Sequence, residues 1–299
     1  MLIERAYNLI RETFMRKSVL AASVAAALAI PGVAAAQQAA PAAEAKSPHT
    51  FTGNMTIISE YRFRGLSQTF GKPAIQGGVD YSHASGFYLG NWDSNVSDTA
   101  GYPGGNLEMD FYGGWKNTWG DYGLDLGLLY YYYPGSNAAG GGSQAAPGLV
   151  NPHSPTKFNS GTVHNTEFYI GGSWKWLSLK WSHSLSDYFM VPDTNGTNYL
   201  DLSASYDMGG GWGVNGHVGH TSVHNFSEAS YTDYKLGVTK DVGGWSLGAS
   251  LVGTNAHDSC SAGGATQQNP YCFAKPDGTG TKTMSAGKTV LLLSIGKTF

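Results

Sequence analysis

Glu60, Arg62 and Arg64 stand at alternate positions in Ser59-Glu-Tyr-Arg-Phe-Arg64. On an extended chain all three project from one face. One carboxylate and two guanidiniums there can orient a passing ion or polar solute, or simply neutralise one another. Further ionisable residues recur on the corresponding face of later alternating segments: Asp80, Glu108, Asp110, Asp125, Glu167, Lys175, Lys180, Asp201 and Lys235. Rings of charged side chains around a water-filled passage decide which ions or polar solutes pass. Because it carries both signs within one strand, the Glu60/Arg62/Arg64 group is the foremost candidate constriction.

Other spacings suit chemistry less well. His217, His220 and His224 invite a metal reading, but residues 217 and 220 of a strand point to opposite faces. Trp181-Ser182-His183-Ser184 contains a Ser/His pair, yet adjacent strand residues also diverge. A hydrolase would need another strand to supply the partner, or carboxylates such as Asp93, Asp98 and Asp187 for a surface protease. The expectation is a non-enzyme without cofactor or metal. Cys260 and Cys272 are the only cysteines and lie in a polar stretch without further ligands at zinc spacing, which favours one local disulfide.

The elements that would position the ionisable set are strands. From Phe51 onward, apolar and polar residues alternate, as where Tyr122, Leu124, Leu126, Leu128 and Tyr130 oppose Gly123, Asp125, Gly127 and Tyr131. In the opening segment Met55, Ile57, Tyr61 and Phe63 share the apolar face. About twelve such segments follow one another: 51–64, 74–83, 86–95, 106–116, 121–132, 165–175, 177–187, 198–207, 212–221, 231–240, 245–254 and 289–299. Each is close to the roughly 9–11 residues that cross a bilayer at a tilt.

Connections alternate in length. Short turns, such as Asp241-Val242-Gly243-Gly244, separate long stretches at 65–73, 96–105, 133–164, 188–197, 222–230 and 255–288. Six of the eight tryptophans (Trp115, Trp119, Trp174, Trp176, Trp212 and Trp245) sit at or beside short turns. Tyrosine and phenylalanine gather at the opposite strand ends: Tyr61, Phe63, Tyr130 to Tyr133, Tyr188, Phe189, Tyr199, Tyr231 and Tyr234. Amphipathic rings favour the membrane–water boundary, so two girdles are expected. The last strand, Thr289-Val-Leu-Leu-Leu-Ser-Ile-Gly-Lys-Thr-Phe299, stops on an aromatic, with Leu291, Leu293, Ile295 and Phe299 on one face. These features predict an all-β fold: a transmembrane antiparallel up-and-down β-barrel of about twelve strands over 51–299, with short periplasmic turns and long extracellular loops.

The N-terminus reads as an export signal over residues 1–36. Arg16 and Lys17 precede the apolar stretch Ser18–Ile30, Pro31-Gly32 breaks it, and Ala34-Ala35-Ala36 offers a cleavage site; Met15 is an alternative start. Residues 37–50, rich in Ala, Gln and Pro, form a flexible lead-in. A net charge of -3 with 13% charged residues gives no basic footprint for nucleic acid.

A resemblance becomes specific at Ser59-Glu-Tyr-Arg-Phe-Arg-Gly-Leu-Ser-Gln-Thr69 and Pro73-Ala-Ile-Gln-Gly-Gly-Val-Asp-Tyr-Ser-His83. It continues at Ser85-Gly-Phe-Tyr-Leu-Gly-Asn-Trp-Asp-Ser-Asn-Val96, Glu108-Met-Asp-Phe-Tyr-Gly113, Asp233-Tyr-Lys-Leu-Gly-Val238 and Gly296-Lys-Thr-Phe299. Over nearly all of 51–299 the chain resembles the TorF-type family of proteobacterial outer-membrane proteins, for which a porin role is proposed. The resemblance implies an outer-membrane barrel, no catalytic residues and no defined substrate. The long Gly/Ala-rich loop 133–164 and the Cys260–Cys272 loop depart from the family pattern. The resulting expectation is a passive channel for small hydrophilic solutes or ions, with lipopolysaccharide and the barrel-assembly machinery as partners. A plugged structural barrel and an outer-membrane hydrolase are the alternatives.

Overall fold

A computed structural model describes residues 47–138, 159–260, 268–275 and 282–299. The expected export signal lies outside them. The strands are β1 (His49–Ile58), β2 (Arg62–Phe63), β3 (Leu66–Ser67), β4 (Ala74–His83), β5 (Phe87–Asn95), β6 (Leu107–Trp119), β7 (Tyr122–Tyr132) and β8 (His164–Trp174). They continue with β9 (Leu177–Ser184), β10 (Asn198–Gly209), β11 (Trp212–Ser222), β12 (Tyr231–Val242), β13 (Trp245–Thr254), β14 (Cys272–Ala274), β15 (Thr283–Ser285) and β16 (Val290–Thr298). Twelve of them, β1, β4 to β13 and β16, form a closed antiparallel barrel. Each pairs with its neighbour in the chain, and β16 closes on β1 with Met55 opposite Lys297 and Ile57 opposite Ile295. Phe299 extends that seam: its N–H donates to the Gly53 carbonyl (2.8 Å) and its carbonyl accepts from the Gly53 N–H (3.2 Å).

The first strand differs from expectation. It ends at Ile58, not at residue 64, and residues 59–73 leave the wall to form the small hairpin β2–β3. The cause is Arg64-Gly65, which take left-handed φ values of 45° and 78° at the hairpin turn. Two consecutive positive φ values make a tight reversal matched to strand twist and end any continuous strand. Glycine is required at the second position, since a Cβ there would lie 2.4 Å from Thr254 and 2.8 Å from Asp233. The other small hairpin, β14–β15, belongs to the last long loop, where Cys260 and Cys272 are joined in a disulfide.

Alternation sorts the wall into two faces. Outward stand Phe51, Ile75, Leu89, Leu128, Leu200 and Leu293, all exposed. No aqueous surface tolerates so continuous an apolar band, and hydrocarbon is its natural solvent. At the short-turn end Trp119, Trp174, Trp176, Trp212 and Trp245 are also exposed and form the expected belt. Lysines lean over it: Lys240 lies 4.9 Å from the Trp212 ring, Lys175 5.0 Å from Trp174, and Lys297 5.2 Å from Trp245. Lys175 is therefore a rim residue, not a lumen residue, because it sits in a turn with φ 55° and its side chain is turned outward.

The second aromatic belt is thinner than its composition suggests. Tyr130 and Tyr234 face outward, whereas Tyr61, Tyr131, Tyr133, Tyr199 and Tyr231 are buried inside. Strand alternation is the reason: in the run Tyr130–Tyr133, every second ring must enter the lumen.

If hydrocarbon covers the outer face, Leu293→Arg, near the middle of β16, will destabilise the folded barrel by about 2–4 kcal/mol. Lys297→Leu at the rim will change stability by less than about 1 kcal/mol. Reversible urea unfolding in lipid vesicles reads both, and equal effects would contradict the assigned depth.

Candidate functional site: the barrel lumen

The inward face carries the ionisable residues of the wall. Asp80 (β4), Glu108 and Asp110 (β6), Asp125 (β7), Glu167 (β8), Lys180 (β9), Asp201 (β10) and Lys235 (β12) all stand at inward positions. Glu60, Arg62 and Arg64 do not come from the wall. They are carried into the lumen by the segment 59–73, and all three are buried. The structure thus gathers the candidate set into one enclosure by a route that strand periodicity could not show.

Arg64 is the anchor. Its Nη2 donates to both oxygens of Glu167, at 2.9 and 2.8 Å, and its Nη1 donates to the Tyr188 hydroxyl at 3.0 Å. The guanidinium also lies 4.2 Å from the Tyr199 ring centre and 4.9 Å from that of Phe63. Burial is the largest influence and works against its charge, but Glu167 together with Tyr188, Tyr131 and Tyr199 more than offsets it, so the guanidinium keeps its proton. Arg62 binds Glu60 at 3.0 Å and donates to the carbonyls of Ala286 (2.7 Å) and Lys288 (3.1 Å). The Glu60 carboxylate also accepts from the Ser67 hydroxyl (2.5 Å) and the Gly71 N–H (3.0 Å). The three buried charges of the inserted segment, Glu60, Arg62 and Arg64, are therefore all paired.

Apolar packing completes the closure towards the long-loop end. Tyr61, Leu66 and Phe70 of the segment join Trp92 and Tyr131 of the wall and Tyr102, Tyr133 and Phe273 of the loops in one buried cluster. Tyr102 stacks on Tyr133 at 3.8 Å, and Phe70 meets Phe273 edge-on at 6.0 Å. Tyr61 donates to Glu108 at 2.9 Å, and Tyr102 to Gln68 at 2.7 Å. Burial pushes both phenols well above their ordinary range, and that of Tyr188 up to about 12, so all three stay neutral.

Nearer the short turns the lumen is lined differently. Thr52, Asn54 and Thr56 of β1, Ser250 of β13 and Ser294 of β16 are small, polar and only partly covered. Across from them a network of tyrosines and carboxylates runs along β4 to β12. Tyr112 donates to Asp80 (2.6 Å), and Tyr88 donates to Asp125 (2.6 Å) and meets the Tyr169 hydroxyl. Lys116 lies 5.0 Å from the Tyr88 ring and Lys180 5.5 Å from that of Tyr169.

His217 is the site residue that sequence reasoning treated only as a metal candidate. Its Nδ1 is 2.8 Å from Asp201 and its Nε2 3.5 Å from Asp233, while the Tyr199 hydroxyl donates to both carboxylates. The signal was available in strand parity, since residues 201, 217 and 233 all face inward on adjacent strands. His220 faces outward and meets Thr232. His183 likewise bonds Asn198, away from the buried Ser182. Among the described residues no group of three or more His, Cys, Asp or Glu side chains is arranged to hold a metal ion.

Arg64→Ala will leave Glu167 buried without its partner, a loss of about 3–5 kcal/mol for such pairs. The expected result is faster amide exchange over residues 59–73 with the wall strands still protected. Unchanged protection of that segment would show that the ion pair does not hold it.

Three solved structures illustrate the likeness of the barrel. A NanC porin matches with 7% identity and a TM-score of 0.44, over 84% of this chain and 99% of that one. An outer membrane channel from Pseudomonas putida F1 matches with 11% identity and a TM-score of 0.37, over 88% and 100%. A TodX mutant, a monoaromatic hydrocarbon channel, matches with 10% identity and a TM-score of 0.42, over 85% and 90%. At TM-scores below 0.5 these likenesses carry no inference about what this chain does. Comparison with curated proteins finds no match. A family model, in contrast, matches residues 42–275, most of the barrel and the lead-in. The chain belongs to the family described as bacterial protein of unknown function (Gcw_chp).

Proposed function

We propose that this protein is an outer-membrane channel that passes small hydrophilic solutes or ions by passive diffusion. The observation that carries the reading is a closed barrel, apolar outside, whose interior is lined by ionisable and hydroxyl side chains. Charge and hydroxyl groups inside such a wall can replace part of the water shell of a polar solute. The short-turn end, with its tryptophan belt, faces the periplasm and the long loops face outward, the usual arrangement of such barrels. The TorF-type resemblance and the signal-like N-terminus support the same address. Lipopolysaccharide and the barrel-assembly machinery are the partners that address implies. No catalytic step enters the reading.

One observation favours a second reading, a structural barrel with a blocked lumen. The inserted segment 59–73 has its buried charges paired and its rings packed against wall and loops. Single-channel recording in planar bilayers separates the two. The channel reading expects discrete steps from folded protein, and larger steps when residues 60–70 are replaced by a short Gly/Ser linker. Silence from the folded native chain, with steps only after that replacement, would establish the blocked barrel instead.

A further inference from the structure

At the short-turn mouth the wall separates its charges by face. Lys240 and Asp241 are neighbours in β12, so strand alternation sends them to opposite sides. Lys240 goes outward onto Trp212, and Asp241 goes inward, on the same side as Asp233 and Lys235. Two strands away, β10 repeats the pattern: Tyr206 and Met208 are exposed outward, and Asp207 between them points into the lumen. On β16 the basic residue is again outside, where Lys297 lies over Trp245 and 5.9 Å from Phe299. Lys175 also lies over its tryptophan. The rim lysines thus face the lipid boundary, while Asp207 and Asp241 hold inward positions at the rim, where each also accepts a hydrogen bond from its turn, Asp207 from the Gly209 N–H (2.8 Å) and Asp241 from the Gly244 N–H (3.4 Å).

Deeper in the lumen the basic groups stand beside carboxylates, and Lys235 lies opposite His217, which binds Asp201. Arg62 and Arg64 are spent on Glu60 and Glu167. Lys180 stands directly opposite Asp201 in the β9–β10 register, and Lys116 covers the Tyr88 ring beside Asp125. On β6 Glu108 and Asp110 are fully buried away from the passage, so they do not enter its charge balance. Fixed charges of one sign at a mouth with low-dielectric walls concentrate the opposite ion there.

We infer that the channel selects cations over anions, with Asp207 and Asp241 as selectivity residues at the short-turn mouth. Sorting of charge matters for transport only if the barrel conducts, so the inference rests on the channel reading above. The solute class it names is small monovalent cations and cationic polar solutes.

Reversal potentials across a planar bilayer under a potassium chloride gradient test it. The native chain is expected to pass potassium in preference to chloride. Asp207→Asn combined with Asp241→Asn should lower the potassium-to-chloride permeability ratio about two-fold or more. Lys240→Gln and Lys297→Gln, on the outer face of the same rim, should leave the ratio unchanged. Both aspartates lie at the rim away from the packed cluster, so the double variant is expected to fold, and gel mobility before and after heating checks this. A conducting native chain that prefers chloride, or a double variant with the native ratio, overturns the cation inference and leaves the channel standing. Absence of conductance from folded native protein overturns the channel reading itself, and the selectivity claim with it.

Discussion

A sheet immersed in hydrocarbon cannot end in free N–H and C=O groups, because each unpaired group costs several kcal/mol there. The pairing of β16 with β1 removes that cost, and much else follows from it. It joins the first wall strand to the last, so none of the twelve is dispensable. It sets the final residue at the short-turn rim, where Phe299 closes the seam with Gly53. It also creates an interior, and an interior must be either filled or wetted. The two ends of this barrel use different solutions.

Towards the long loops the lumen is filled. A twelve-stranded wall is too wide for its own side chains to meet across the axis, lying between the filled eight-stranded and open sixteen-stranded cases. Residues 59–73 supply the missing volume. Insertion of such a segment requires satisfied charges and a reversal that fits. Glu60 and Glu167 satisfy the arginines, and Arg64-Gly65 supply the reversal. The left-handed conformation of Arg64 is unfavourable for a side chain of its size. Its bidentate contact with Glu167 and the surrounding rings hold it there. Gly65 then fits against Asp233 and Thr254, where no Cβ has room.

Much of the wall was legible from the sequence because period-two alternation is a local signal. The spans expected at 74–83 and 245–254 coincide with β4 and β13. What could not be read was set by non-local contacts. Glu60, Arg62 and Arg64 keep strand-like alternation after the strand has ended, so parity alone assigned them to the wall. The tyrosines misled for a related reason. Their position at strand ends suggested a belt, but parity sets Tyr131 on the face of Asp125 and Tyr199 on that of Asp201, and Phe63 and Arg64 of the inserted segment meet them there. His217 shows the converse. Its partners Asp201 and Asp233 are far away in the chain but inward on adjacent strands, so register, rather than spacing, was the informative quantity.

The anchoring of residues 59–73 constrains where a solute can travel. Separating Arg64 from Glu167 leaves a buried carboxylate unpaired, at a cost of about 3–5 kcal/mol. At roughly 1.4 kcal/mol per factor of ten, an unlatched state would hold well under about one part in a hundred of the population. Passage that waited for that state would be slow. If the barrel conducts, as proposed, a continuous route would run beside the segment, along a stretch of wall with small polar inward side chains. That wall is β13, β16 and β1, with Ser250, Ser294, Thr52, Asn54 and Thr56. These residues offer hydroxyl and amide groups without charge, so they can take up a solute's lost hydration without trapping it. On that reading the charged and tyrosine-rich arc across the lumen would add its field to these contacts. The same closure that joins β16 to β1 thus sets an uncharged stretch of wall opposite the charged arc.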